Sequence, residues 1–177
     1  MPKRIVIIGP ESTGKSTLTE QLAHYFKTEW VAEYAREYID RLTRDYYEED
    51  LLKIARGQVM REDTKAEKTN KSLLFCDTDL YVIKVWSEYK YQHCALQILT
   101  EIARRRYDLY LLTYIDVPWQ EDPQREHPEP EMRTYFYRTY RDIVMGSGIP
   151  WVDIRGDQKV RFQQAVKAVE NMKATGS

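Results

Sequence analysis

Apolar and polar positions along the chain fall into blocks of two kinds. Short apolar runs at Arg4-Ile5-Val6-Ile7-Ile8, Glu29-Trp30-Val31-Ala32-Glu33, Leu73-Leu74-Phe75-Cys76, Tyr107 to Ile115 and Ile149 to Ile154 predict five strands. Between them apolar residues return at helical spacing. Leu18, Leu22, Ala23, Tyr25 and Phe26 form one such set, and Leu51, Ile54, Ala55, Gln58 and Val59 form another within about thirty residues of helical character. Leu80, Ile83 and Trp86 make a third stripe, Ala95, Ile98, Leu99 and Ile102 a fourth, and Phe162, Ala165, Val166 and Val169 the last. A helix rich in aromatics and arginine is predicted from about Glu131 to Met145, stopping at Gly146-Ser147-Gly148. Strands alternating with helices imply right-handed crossovers and a parallel sheet. The expectation is one α/β domain over residues 1–177, a five-stranded parallel sheet with helices on both faces in three layers.

The connection between the first strand and first helix carries the strongest chemistry. Gly9-Pro10-Glu11-Ser12-Thr13-Gly14-Lys15-Ser16 fits G-x-x-x-x-G-K-[ST] in full and continues into Thr17. Strand, glycine-containing loop and helix together form a phosphate-binding P-loop, so the fold expected is that of the P-loop NTPases. Glycines let the backbone curl its N–H groups toward an anion, and the new helix adds its positive end. Lys15 is expected to reach the β- and γ-phosphates of ATP, and the Ser16 hydroxyl to hold Mg²⁺.

In a parallel sheet the ligand crevice lies beyond the carboxyl ends of the strands, so polar residues there carry most weight. Asp77 follows an apolar strand and is expected to support Mg²⁺, the alternative being a helix cap. Asp79 either caps the next helix or binds substrate hydroxyls. Glu33 is placed to accept a proton from an attacking hydroxyl. Arg36 either pairs with Glu33 or touches phosphate, the alternative being a plain surface ion pair of small value. Gln58, on an otherwise apolar stripe, either recognises a neutral ring or carboxamide or is a satisfied core amide. Trp30, Tyr34, Trp86 and Trp119 are either stacking surfaces for a ring or core.

Four of the seven prolines (Pro118, Pro123, Pro128 and Pro130) fall among acids and arginines, which predicts an ordered lid over about 118–132. Arg125 in that lid is expected to stabilise charge over the phosphates, with Arg133 and Arg138 as lesser candidates and a solvated loop as the alternative. Arg104-Arg105-Arg106 suits a helix C-terminus. Arg155-Gly156-Asp157 is a chance adhesion-like tripeptide, and its turn is a place for adenine by fold analogy.

Balanced charge, a net of -1, argues against a nucleic-acid-binding surface. No run is long enough to span a membrane, and the early first strand leaves no room for a signal peptide. Cys76 and Cys94 give no disulfide framework, and His24, His93 and His127 lack zinc-ligand spacing. The expectation is a cytoplasmic enzyme acting on small molecules, its oligomeric state unspecified.

With these pieces in place, the chain resembles the nicotinamide riboside kinase domain of the NadR family. The matching segments are G-P-E-S-T-G-K-S-T at 9–17, E-Y-A-R-E-Y at 33–38, C-D-T-D at 76–79 and W-Q-E-D-P-Q-R at 119–125. Their order and spacing agree over essentially the whole chain. The resemblance implies transfer of the γ-phosphoryl of ATP to the 5′-hydroxyl of nicotinamide riboside. Glu33, Tyr34, Arg36, Gln58, Asp79, Trp86 and Asp122 are the residues expected around the acceptor. Asp122-Pro123 stands where the family lid usually has Asp-Gly, which would stiffen the hinge. Nothing precedes the P-loop strand and no H-x-G-H motif is present, so adenylyltransferase and DNA-binding activities are not expected. The rivals are a kinase for another nucleoside or vitamin alcohol, and a P-loop ATPase acting as a switch.

Overall fold

A computed structural model describes residues 1–175. Interior parallel strands are covered on both faces and therefore read as unbroken apolar runs. β1 (Lys3–Ile8), β3 (Leu73–Asp77) and β4 (Leu109–Thr113) follow that rule, with every residue of β3 and β4 buried. β2 (Glu29–Val31) and β5 (Trp151–Ile154) are the shorter edge strands. All pairings are parallel, in the order β2-β3-β1-β4-β5. Ile7 is level with Asp77, and Ile8 with Leu112, so the chain leaving β1 emerges between the ends of β3 and β4.

Side chains alternate across the sheet and build a core on each face. On one face Ile5, Ile7, Phe75 and Leu111 pack with α1 (Lys15–Tyr25) and the last helix, α7 (Gln158–Thr175). On the other, Val6, Ile8, Leu74, Tyr110 and Leu112 meet α4 (Leu80–Tyr91) and α6 (Pro130–Gly146). A third cluster joins α2 (Tyr34–Asp40), α3 (Glu48–Lys68), α4 and α5 (Leu96–Arg104) through Ala35, Leu51, Ile54, Leu80, Ile83 and Ile98.

The departures from the sequence reading have physical causes. β5 starts two residues later than expected because Pro150 has no N–H to give; only its carbonyl serves the sheet, accepting from Tyr110 N at 2.9 Å. The long helical stretch is split in two, and Asp50 sets the restart: its buried carboxylate accepts from Tyr47 N at 2.8 Å, Arg44 at 2.7 Å and Tyr38 at 2.9 Å. Arg105 is not a solvated helix-end charge. Its side chain is buried against Glu62 and Asp63, at 2.8 Å each, and Arg4 joins them from β1. Cys76 is buried and Cys94 half-buried, both as free thiols. Among the described residues no helix is long and apolar enough to cross a membrane.

Candidate active site

The loop after β1 is shaped by its close approach to β4. A Cβ on Gly9, whose φ is 148°, would lie 2.4 Å from Thr113 Oγ1 and 2.7 Å from Thr113 O, so glycine is required there. Gly14, at φ 75°, turns the chain into α1. The Thr13 hydroxyl donates to Pro10 O at 2.7 Å and lies 2.7 Å from the Thr113 hydroxyl, which holds the loop on the end of β4. Lys15 Nζ donates to Pro10 O at 2.7 Å. The far side is clamped by Arg161 of α7. Its guanidinium donates to Thr13 O at 2.8 Å, Tyr114 O at 2.8 Å and Gly156 O at 2.7 Å, and pairs with Asp116.

Two carboxylates face this loop. Asp77, at the end of β3, is 3% exposed, and its Oδ1 has no partner within the protein. Burial pushes its carboxyl up, against the pull of Lys15 and a hydrogen bond from Ser16. Glu33 follows the short β2 and occupies the residue before α2. Removal from water, then the charge of Asp77, raises it to about 7, with Lys15 and Arg36 acting in the opposite sense. Oxygen donors suit Mg²⁺. A buried carboxylate oxygen lacking a protein partner, with the Ser16 hydroxyl near the same carboxyl, fits such an ion.

The segment between β4 and α6 lies over the loop as a lid. Gln120 N donates to Ser12 Oγ at 2.8 Å, and the amides of Glu126 and His127 donate to Glu11 Oε2 at 3.0 and 3.3 Å. Arg36 pairs with Asp122 at 2.7 Å rather than hydrogen-bonding Glu33. Gln124 reaches back to Arg36 O and Asp40. Arg125 donates to Gln120 O and comes within 3.5 Å of Ser12 Oγ. Arg133 donates to Val117 O at 3.1 Å and Ser12 O at 3.4 Å, with Nε buried and unpartnered.

Beneath the lid is a cavity of about 320 Å³, lined by Gly9, Glu11 through Thr17, Glu33, Arg36, Trp86, Arg125 and Arg161, among others. A second cavity of about 370 Å³ shares Glu11, Trp86, Gln124 and Tyr140 with it and adds Tyr46, Tyr89, Asp45 and Glu126. Trp86 stacks on Tyr46 at 6.3 Å between ring centres.

Several expected residues lie elsewhere. The Tyr34 ring packs on Gly57 and under Arg61, and lines neither cavity. Gln58 accepts from Tyr34 N at 2.8 Å through Oε1, while its buried Nε2 has no protein partner. Asp79 takes the capping role, accepting from Tyr81 N at 2.9 Å, and its other oxygen accepts from the Tyr110 hydroxyl at 2.7 Å. Arg155 is turned away from the cavity, over the Tyr114 ring at 3.8 Å and onto Asp153 at 2.7 Å; Gln158 and Arg161 line the cavity in its place. Arg138 is exposed on the outer side of α6, and Trp30 is exposed on β2. Thr113 and Arg161 were missed by the sequence reading. The signal for Arg161 was its place one turn before Ala165 on the apolar stripe of α7.

Comparison with known proteins agrees with this geometry. A family model described as an AAA domain matches residues 4–161. The trifunctional NAD biosynthesis/regulator protein NadR of Salmonella typhimurium is 31% identical over 180 residues, covering 96% of this chain and 42% of that protein. The chain thus spans about two-fifths of the length of that relative. A crystal structure of NadR in complex with NR superposes with a TM-score of 0.78 at 24% identity, over 97% of this chain and 51% of the other. One of NadR with NAD and AMP-PNP gives 0.74 at 24% identity, over 98% and 50%.

Proposed function

The chain belongs to the AAA-domain family, and on that footing we propose that it transfers the γ-phosphoryl of ATP to the 5′-hydroxyl of nicotinamide riboside, giving nicotinamide mononucleotide. The observation that carries this reading is the junction of two cavities. One is walled by the P-loop, Glu33 and the lid, and the other is rich in aromatic rings with charges of both signs; they meet at Glu11, Trp86, Gln124 and Tyr140. The pyridinium ring of nicotinamide riboside is flat and cationic, and the aromatic walls of Trp86, Tyr89 and Tyr140 suit stacking of such a ring. Homology to NadR over 96% of the chain supports the choice of acceptor.

In this reading Lys15 and the loop amides hold the triphosphate, and lid closure excludes water. Glu33 takes the proton from the 5′-hydroxyl as its oxygen bonds to the γ-phosphorus. The bond from that phosphorus to the β–γ bridging oxygen breaks, and ADP departs. A carboxyl raised to about 7 is matched to proton transfer near neutral pH. Arg125 and Arg133 approach the loop from the lid side and oppose the charge of the transferring group. Asp77 and Ser16 would hold Mg²⁺, which when bound neutralises charge on the β- and γ-phosphates. Arg36 and Asp122 act together as the lid latch. The partners required are small molecules, and ATP as donor is consistent with work in the cytoplasm.

A screen of nicotinamide riboside, common nucleosides and deoxynucleosides, and vitamin alcohols tests the acceptor. Nicotinamide mononucleotide is the expected product. Absence of that product overturns the acceptor, and steady ATP hydrolysis unaffected by every acceptor overturns the kinase reading in favour of a switch.

A further inference from the structure

Glu33 sits in an unfavourable place. It is drawn from water near a second carboxyl, Asp77, at the residue before α2. Nothing in its own helix restrains it, since α2 begins at Tyr34 and Glu33 makes no capping hydrogen bond. The restraint comes from α3. Gln58 is 3% exposed and presents Oε1 to the Tyr34 amide at 2.8 Å, capping α2 from a neighbouring helix. Gly57, one residue earlier, leaves space for the Tyr34 ring: a Cβ there would lie 2.1 Å from Tyr34 Cε1. Arg61, one turn later, covers the same ring at 4.8 Å. One stretch of α3 therefore grips Tyr34 by backbone and by ring, and the peptide joining it to Glu33 is held. Gln58 lines neither cavity, and among the described residues its side chain's one hydrogen bond is the one to the Tyr34 amide.

We propose that Gln58 is a positioning residue for phosphoryl transfer: through the Tyr34 amide it holds the Glu33 carboxyl against the loop. The inference rests on the reading of Glu33 as the base. Gln58→Met removes the acceptor oxygen at nearly constant volume. The expected result is a fall in kcat of about ten- to a hundredfold, with KM for both substrates within about twofold. The acid limb of kcat/KM moves below its wild-type position, because a released Glu33 swings toward water and ionises more easily. The Tyr34 amide, protected from hydrogen exchange in the wild type, exchanges freely in Gln58→Met. Tyr34→Pro removes the donor itself at a helix position that accepts proline, with Tyr34→Ala as the control for the ring. In the Tyr34→Pro background Gln58→Met has no further effect on kcat.

Three results overturn the inference alone: a raised acceptor KM with kcat unchanged, a loss of activity that only follows the folded fraction with an unmoved pH profile, or unchanged exchange at Tyr34. Normal turnover by Glu33→Gln overturns the base reading, and the positioning role falls with it. An inactive Glu33→Gln beside a fully active Gln58→Met removes only the positioning role.

Discussion

Replacing Glu33 by glutamine keeps the side chain's shape and removes its charge, and the structure gives the effect on folding a definite sign. The carboxyl ionises at about 7 in the folded protein against an ordinary 4.5, first because it is drawn from water and second because Asp77 lies close. Below 4.5 both folded and unfolded chains carry the neutral acid, and nothing is at stake. Between 4.5 and 7 the unfolded chain releases the proton while the folded chain keeps it, so stability falls as pH rises. Above 7 both are ionised and the loss is complete. At about 1.4 kcal/mol per tenfold, the full gap is on the order of 3 kcal/mol. Glu33 is partly open to solvent, which screens the effect to ~1–2 kcal/mol. Glu33→Gln is therefore expected to be more stable than the wild type at pH 8 by ~1–2 kcal/mol, while its turnover falls by ~10²–10⁴-fold. Urea unfolding of both proteins from pH 5.5 to 8.5 reads the difference, in which titrations common to both cancel. A gap that stays constant or narrows as pH rises refutes the reasoning about burial and Asp77, whatever the activity shows.

Three further outcomes follow from the loop and lid. Lys15→Met is expected to lower kcat by ~10²–10³-fold with the fold intact by circular dichroism, since one charged donor to the transferring group is lost. Arg161→Leu strips the donor from three carbonyls (Thr13, Tyr114 and Gly156), and should cost about 3 kcal/mol, lowering Tm by roughly 6–12 °C while raising KM for ATP. Glu11→Ala releases the Glu126 and His127 amides from the loop; mass-resolved hydrogen exchange should quicken at those two residues, and hydrolysis of ATP without acceptor should rise as water enters.

What was legible in the chain was what short-range pattern encodes. The strands of the sheet interior announce themselves because they are apolar throughout, and the P-loop because glycine is forced by backbone shape at Gly9 and Gly14. Asp77 was found because it closes a strand, and Glu33 because it closely follows one. Hidden were features set by residues far apart. Thr113 meets Thr13 across a hundred positions and Arg161 meets Thr13 across 148, and no local periodicity carries either contact. Tyr34 looked like a stacking surface because only the structure brings Gly57 beneath its ring. Arg155 and Arg161 are separated by less than two helical turns, yet only the second faces the loop, since Tyr114 and Asp153 hold the first outside.

The clamp from α7 also bears on how the protein comes into being. A chain is made from its N-terminus, so the nucleotide loop leaves the ribosome well before α7 does. Among the described residues, however, the side-chain donor to Thr13 O is Arg161, and the Tyr114 and Gly156 carbonyls share that guanidinium. A nascent chain halted before α7 carries a complete P-loop sequence without its clamp. The ability to grip ATP should therefore arrive late in synthesis, and a ribosome-bound series of lengthening chains should gain it only once α7 has emerged.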